Sequence, residues 1–168
     1  PSVNLSIDTT RSSIGRRAAD LLGRPFIVND ISAGEDDPAM LETVASLGLG
    51  YVAMHKRGTP ATMQSLCDYE DVVSEVEQYF RRFAAMASAA GIQDWILDPG
   101  FGFAKTVEQN YELLESLERF SAIGHPILVG VSRKSFIYKP LGIGPEEALP
   151  ATQAIHMAAL ERGADILR

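Results

Sequence analysis

Asp8, Asn29, Met54 with His55, Asp98, Ser132 with Lys134, and Arg168 each follow a short apolar run. Asp98 has the most distinctive setting. The run Trp95-Ile96-Leu97 leads straight into Asp98-Pro99-Gly100-Phe101-Gly102-Phe103-Ala104-Lys105. A buried strand that ends in a carboxylate and opens into a stiff, glycine-spaced loop presents an acid to a ligand. The plainer reading is that Asp98 caps the helix that follows, and each of the other residues, taken singly, reads as an ordinary polar cap. Taken together they form a set with a common chemistry. Asp8 and Asp98 supply acceptors, and Asn29 supplies both an acceptor and a donor. That combination suits a planar heterocycle carrying ring N–H and amino groups. Lys134 and Arg168 add positive charge for a carbonyl oxygen or a phosphate.

Other chemistries fit less well. A metal-centred hydrolase needs clustered His and carboxylate ligands. Here His55, His125 and His156 are scattered, with His125 ahead of a strand and His156 within a helix, where it reads as a surface or core residue. Gly100-x-Gly102 lacks the third glycine and following acid of a dinucleotide site, and Gly130-Val131-Ser132-Arg133-Lys134-Ser135 lacks phosphate-loop spacing. The formal net charge of -7 argues against a nucleic-acid groove. The one cysteine, Cys67, excludes an internal disulfide framework and fits a reducing compartment. No apolar run approaches the roughly 18 residues of a membrane span, and residues 1–20 lack the apolar core of a signal peptide. The expected setting is the cytoplasm, with no membrane and no nucleic-acid partner. Glu35-Asp36-Asp37 reads as a solvated loop with helix-capping duty.

The elements that must position these residues alternate. Val3–Asp8, Pro25–Val28 ending at Asn29-Asp30, Gly50–Met54, Trp95–Asp98, Pro126–Val131 and Ala164–Arg168 read as strands. Helices are expected over Ile14–Leu22, from Pro38 to Leu47, over roughly 69–90, through Asn110–Phe120, and through Ala154–Leu160 after the breaks at Pro145 and Pro150. Val72, Val73, Val76, Tyr79, Phe80, Phe83, Met86, Ala87 and Ala90 mark the core face of the longest helix. The polar stretch from His55 to Cys67 reads as a working loop. Six strand–helix alternations without a hairpin signal imply a parallel α/β sheet, read as a single domain over residues 1–168. Polar residues follow nearly every strand instead of clustering at one switch point, which favours a TIM (β/α)8 barrel over an open sheet. Such a barrel takes about 250 residues and eight units. The expectation is about six of the eight βα units, with the first two strands absent and the last strand cut short.

Five segments are similar to the signatures of the dihydropteroate synthase family. They are Asp8-Thr9, Asn29-Asp30-Ile31, Met54-His55-Lys56-Arg57-Gly58-Thr59-Pro60 with Met63-Gln64, Asp98 to Lys105, and Gly130 to Ser135. The resemblance runs the length of the chain in the family's order. It implies a pterin-binding barrel that joins p-aminobenzoate to hydroxymethyl-dihydropterin pyrophosphate and releases pyrophosphate with help from Mg²⁺. On that resemblance Asp8, Asn29, Met54, Asp98, Lys134 and Arg168 hold the pterin, while Phe103, Ser132 and Lys134 form the p-aminobenzoate region. Asp98, Lys134 and Arg168 would be the catalytic set, with Arg168 covering the pterin and touching pyrophosphate. A homodimer is also implied. The family's Asn-x-Thr-Pro-Asp-Ser-Phe-Ser segment, with its metal-linked Asn, has no counterpart here, so no metal ligand is assigned and these residues alone are expected to be inactive. A methyltetrahydrofolate-binding methyltransferase domain and a non-catalytic pterin-binding homologue are the competing readings.

Overall fold

The computed structural model describes residues 3–59 and 61–168; the side chain of Gln64 also lies outside the described part. Pro60 and the Gln64 side chain, both in the signature that starts at Met54, therefore fall outside the described residues.

The strands are β1 (Ser6–Asp8), β2 (Ile27–Asp30), β3 (Gly50–Met54), β4 (Trp95–Asp98), β5 (Leu128–Val129) and β6 (Ile166–Leu167). Between them lie α1 (Ser12–Leu22), α2 (Met40–Leu47), α3 (Val72–Ala90), α4 (Val107–Glu115), and then α5 (Ser135–Tyr138) and α6 (Leu149–Glu161), which both separate β5 from β6. All strand pairs are parallel, in the order β1-β2-β3-β4. A bridge between Leu97 and Ile127 carries the series on to β5, which pairs with β6. The sheet advances one strand per crossover without reversing, as in a partial (β/α)8 barrel.

Register fixes which residues share the C-terminal rim. Asp8 lies opposite Asn29 and Met54 opposite Asp98, so the strand-end residues are neighbours. Alternation along β2 then separates two adjacent polar residues. Asn29 belongs to the rim, whereas Asp30, fully buried, accepts from the Ser32 amide and hydroxyl, the Gly34 amide and the Tyr51 hydroxyl. Asp30 thus holds the loop that follows β2.

The helices pack an aromatic layer against the sheet. Tyr51 stacks on Phe83 at 5.9 Å, Phe83 meets Trp95 edge-on at 4.8 Å, and Phe80 meets Phe120 at 6.4 Å. Burying such rings is the main favourable term for a sheet this short-stranded.

Several boundaries differ from the sequence expectation. The long helix begins at Val72, because Asp71 takes the N-cap and accepts from the Ser74 amide. Met86 is 49% exposed instead of facing the core. The helix expected through Phe120 stops at Glu115 and continues as a 3-10 segment over Leu117–Ile123. That tighter coil aligns residues three apart, and Leu117 and Phe120 are both fully buried. Strands five and six are two-residue ladders, since the Asp165 carboxylate accepts from the Ile127 amide where longer pairing would need a backbone carbonyl. Asp37 reaches back to accept from the Ser12 amide at 2.7 Å, giving α1 its N-terminal partner from a distant loop. The acidic run does carry capping duty, locally at the Ala39 amide before α2 and also across 25 residues.

Candidate functional site

Four rim residues are joined by side-chain hydrogen bonds. The Asn29 amide donates to Asp8 Oδ1, and Arg168 donates to Asn29 Oδ1 at 2.9 Å and to Asp98 Oδ2 at 3.0 Å. Asp98 is buried, while the Arg168 side chain is 44% exposed. The other Asp98 oxygen accepts from the Gly100 amide at 2.9 Å. Thr106, not Asp98, caps the following helix, in a capping box with Gln109. The cap reading of Asp98 therefore fails.

The loop after β4 carries the rest of the site. Gly100 has φ of +71°, and a Cβ there would lie 2.0 Å from the His55 carbonyl oxygen, so only glycine fits. Lys134 Nζ donates to the Phe101 carbonyl and sits 4.7 Å from the centre of the Phe103 ring. Phe103 is half-buried, Ser132 is exposed, and the Ser132 amide approaches the Arg168 carbonyl at 3.4 Å. Met54 is buried at the end of β3, with its side chain near Gly100. Arg133 and Ala104 adopt positive φ on either side of this cluster. Non-glycine residues rarely do so, and such strain gathers at working sites.

Two residues gain importance that strand-end reasoning did not give them. Lys105, 4% exposed, donates to the Gly100 and Phe103 carbonyls and to His55 Nδ1, each at 3.0 Å. His55 stands behind the loop, edge-on to Tyr79 at 4.9 Å, and does not join the rim network. The signal for Lys105 was its place at the end of a glycine-spaced loop with no turn left to cap. The remaining histidines lie apart, His125 stacked on Trp95 and His156 on α6.

Burial sets the protonation states. It pushes the Asp98 carboxyl up, while the Gly100 amide, Arg168, Lys134 and Lys105 pull it back down. It brings Lys134 down to about 8 and Lys105 down to about 7, in both cases opposed by the attraction of Asp98. His55 is held well below its ordinary value by burial and then by the Lys105 and Arg57 charges, so its ring is neutral and Nδ1 accepts from Lys105. The rim thus presents a costly buried acid, an amide and two cations beside them.

A cleft of about 360 Å³ opens beside Asp8, Thr9, Thr10, Asn29 and Ile31. A larger one, about 520 Å³, lies beyond His55 along α3. In the larger one Lys56 is paired with Asp36 and Arg57 with Glu75, while Arg82 also lines it. The smaller cleft is the one that adjoins the rim network. Among the described residues no three His, Cys, Asp or Glu side chains converge as a metal site.

Residues 2–168 match the pterin binding enzyme family. The chain belongs to that family. Among its relatives is the dihydropteroate synthase of Synechocystis, 43% identical over 169 residues, which covers 99% of this chain and 58% of the relative. Dihydropteroate synthase from Thermus thermophilus has been solved in complex with 4-aminobenzoate and with 6HMPPP. Both structures superpose with a TM-score of 0.92 at 38% identity over 99% of this chain, covering 64% and 66% of theirs. The chain spans about 58% of the length of the curated relatives it matches.

Proposed function

We propose that the protein is a dihydropteroate synthase, joining p-aminobenzoate to hydroxymethyl-dihydropterin pyrophosphate to give dihydropteroate and pyrophosphate. The observation that carries this reading is the buried Asp98 carboxylate, flanked by Asn29 and facing two cations, Arg168 and Lys134. Asp98 Oδ2 and Asn29 Oδ1 accept from the pterin's amino and ring N–H groups, and Asp8 orients the Asn29 amide. Met54 closes the pocket floor. Lys134 lies between the pterin and the p-aminobenzoate region, which Phe103 and Ser132 border.

The reaction breaks the bond between the methylene carbon and pyrophosphate as the aryl amine bonds to that carbon, and the amine proton leaves to water. Negative charge gathers on the departing pyrophosphate, so fixed cations lower the barrier more than a nucleophile would. Arg168 is 44% exposed, its guanidinium held by the ion pair with Asp98 and the hydrogen bond to Asn29, and it turns to the leaving group once the pterin takes those acceptors. The amine is already a competent nucleophile, so alignment supplies much of the rate. The resemblance implies Mg²⁺, and no step here is routed through it.

A cytoplasmic setting is proposed on the single cysteine of the sequence, and among the described residues no helix is long and apolar enough to cross a membrane. A homodimer is proposed on the exposed Leu149, Met157 and Leu160 of α6. The test of function is incubation of the full-length protein with both substrates, reading dihydropteroate by chromatography and pyrophosphate by a coupled assay. Matched release of both products is expected. Tight pterin binding with no condensation would overturn the reading in favour of a non-catalytic binder.

A further inference from the structure

Two lysines contact the Asp98–Lys105 loop, its own Lys105 and Lys134 from the segment after β5, and only Lys134 has a place in the reaction described above. The turn closes with the Phe103 amide donating to the Gly100 carbonyl at 3.0 Å. Lys105 then donates to the carbonyls of both those residues and to His55 Nδ1. An ammonium has three N–H donors, and here all three meet an acceptor at 3.0 Å. Between the two clipped carbonyls lies Phe101, whose own carbonyl accepts from Lys134. Gly102, in the same turn, would bring an added Cβ within 3.2 Å of Lys134 Cδ. The seat of Lys134 is therefore the outer surface of the turn that Lys105 fixes from within.

We propose that Lys105 is a positioning residue for the p-aminobenzoate side of the site, acting through the Gly100–Phe103 backbone on Lys134 and the Phe103 ring. The substrate assignment rests on the synthase reading; the clip itself does not. His55 is the third anchor. Its amide donates to the Asp98 carbonyl at 3.0 Å and its ring is braced by Tyr79, so the clip is tied to β3 as well as to its own loop. Asp98, Lys134, Arg57 and Cys67 are the other titratable groups that act on Lys105. The pterin acceptors Asn29 Oδ1 and Asp98 Oδ2 are bonded to Arg168, not to Lys105, and the clip reaches Asp98 only through the Gly100 amide on its other oxygen and through charge.

The proposal predicts an asymmetric loss. In the full-length protein, Lys105→Met should raise the KM for p-aminobenzoate roughly tenfold or more, while pterin affinity changes less than about threefold. His55→Leu should weaken p-aminobenzoate in the same direction without altering charge. His55→Asn, whose Oδ1 can stand in for Nδ1, should restore most of it. Amide hydrogen exchange on ligand-free protein gives a readout independent of turnover. Exchange at Gly102 and Phe103 should quicken in Lys105→Met and His55→Leu but not in His55→Asn. Equal losses for both substrates, or unchanged exchange in the turn, would overturn the proposal. If the parent protein makes no dihydropteroate, the synthase reading fails alone and the exchange result still decides the clip.

Discussion

Asp98 and Asp30 are both strand-end carboxylates with almost no exposure, yet they answer to different demands. Asp30 is saturated by neighbours of its own fold, whereas Asp98 is burdened by burial and relieved by a partly exposed cation. Asp98→Asn should therefore weaken pterin binding by about 2–3 kcal/mol, roughly 30- to 150-fold, by replacing an acceptor with a donor. Calorimetric titration checks this. The same change should leave the thermal midpoint level or raised, because the native site already disfavours the ionised form. Asp30→Asn should lower it, since its four acceptor bonds have no solvent substitute. The pH profile belongs to this scale too. Lys105 loses its proton as pH rises through about 7 and Lys134 through about 8, so kcat/KM for p-aminobenzoate should fall across that range, and Lys134→Met should lose only the upper part of the limb. The sequence made Asp8, Asn29 and Asp98 visible because each ends an apolar run. It hid Lys105, whose role depends on three acceptors that only the folded turn brings together.

At the level of elements, the loop after β4 is the best specified part of the site. Gly100 sits at φ of +71° with the His55 carbonyl in the space a side chain would need. Gly91, at the C-cap of α3, also has positive φ but nothing within 4 Å. Gly91→Ala should cost only the backbone term, about 1 kcal/mol. Gly100→Ala should cost at least about twice that, because the contact must be relieved by moving either loop. Denaturant midpoints of the two variants give the comparison, and similar losses would show that the His55 contact yields freely. Periodicity placed the strands and most helices, since burial writes a period into the sequence. Boundaries were less legible. The start of α1 depends on Asp37 and the short pairing of β5 on Asp165, partners set by tertiary packing and invisible to a local window.

On the scale of the whole molecule, alternation and strand-end polarity pointed to a parallel barrel, and β1 to β6 follow one another around it. Among the described strands β1 pairs only with β2, and β6 only with β5. Open edges of this kind recruit further strands. Expressed as these 168 residues, the chain should form open-ended oligomers that grow with concentration, as read by sedimentation velocity. A species that stops at a dimer at every concentration would point to α6 alone as the contact. What the sequence could not convey is how the two ends of this arc communicate, because that depends on a side chain reaching across the mouth.

Arg168 makes that reach. It is bonded to Asn29 across 139 positions of sequence and to Asp98 across 70. Its guanidinium occupies the same acceptors that an incoming ring's N–H groups would use. In the free protein it is a tethered competitor, present at an effective concentration that its covalent attachment keeps high. A ligand that wins those acceptors exchanges one set of donors for another, so its measured affinity is a difference between two occupants. On the proposed reading, that exchange would also free a cation at the mouth and break the tie between Arg168 and β2 in the same event.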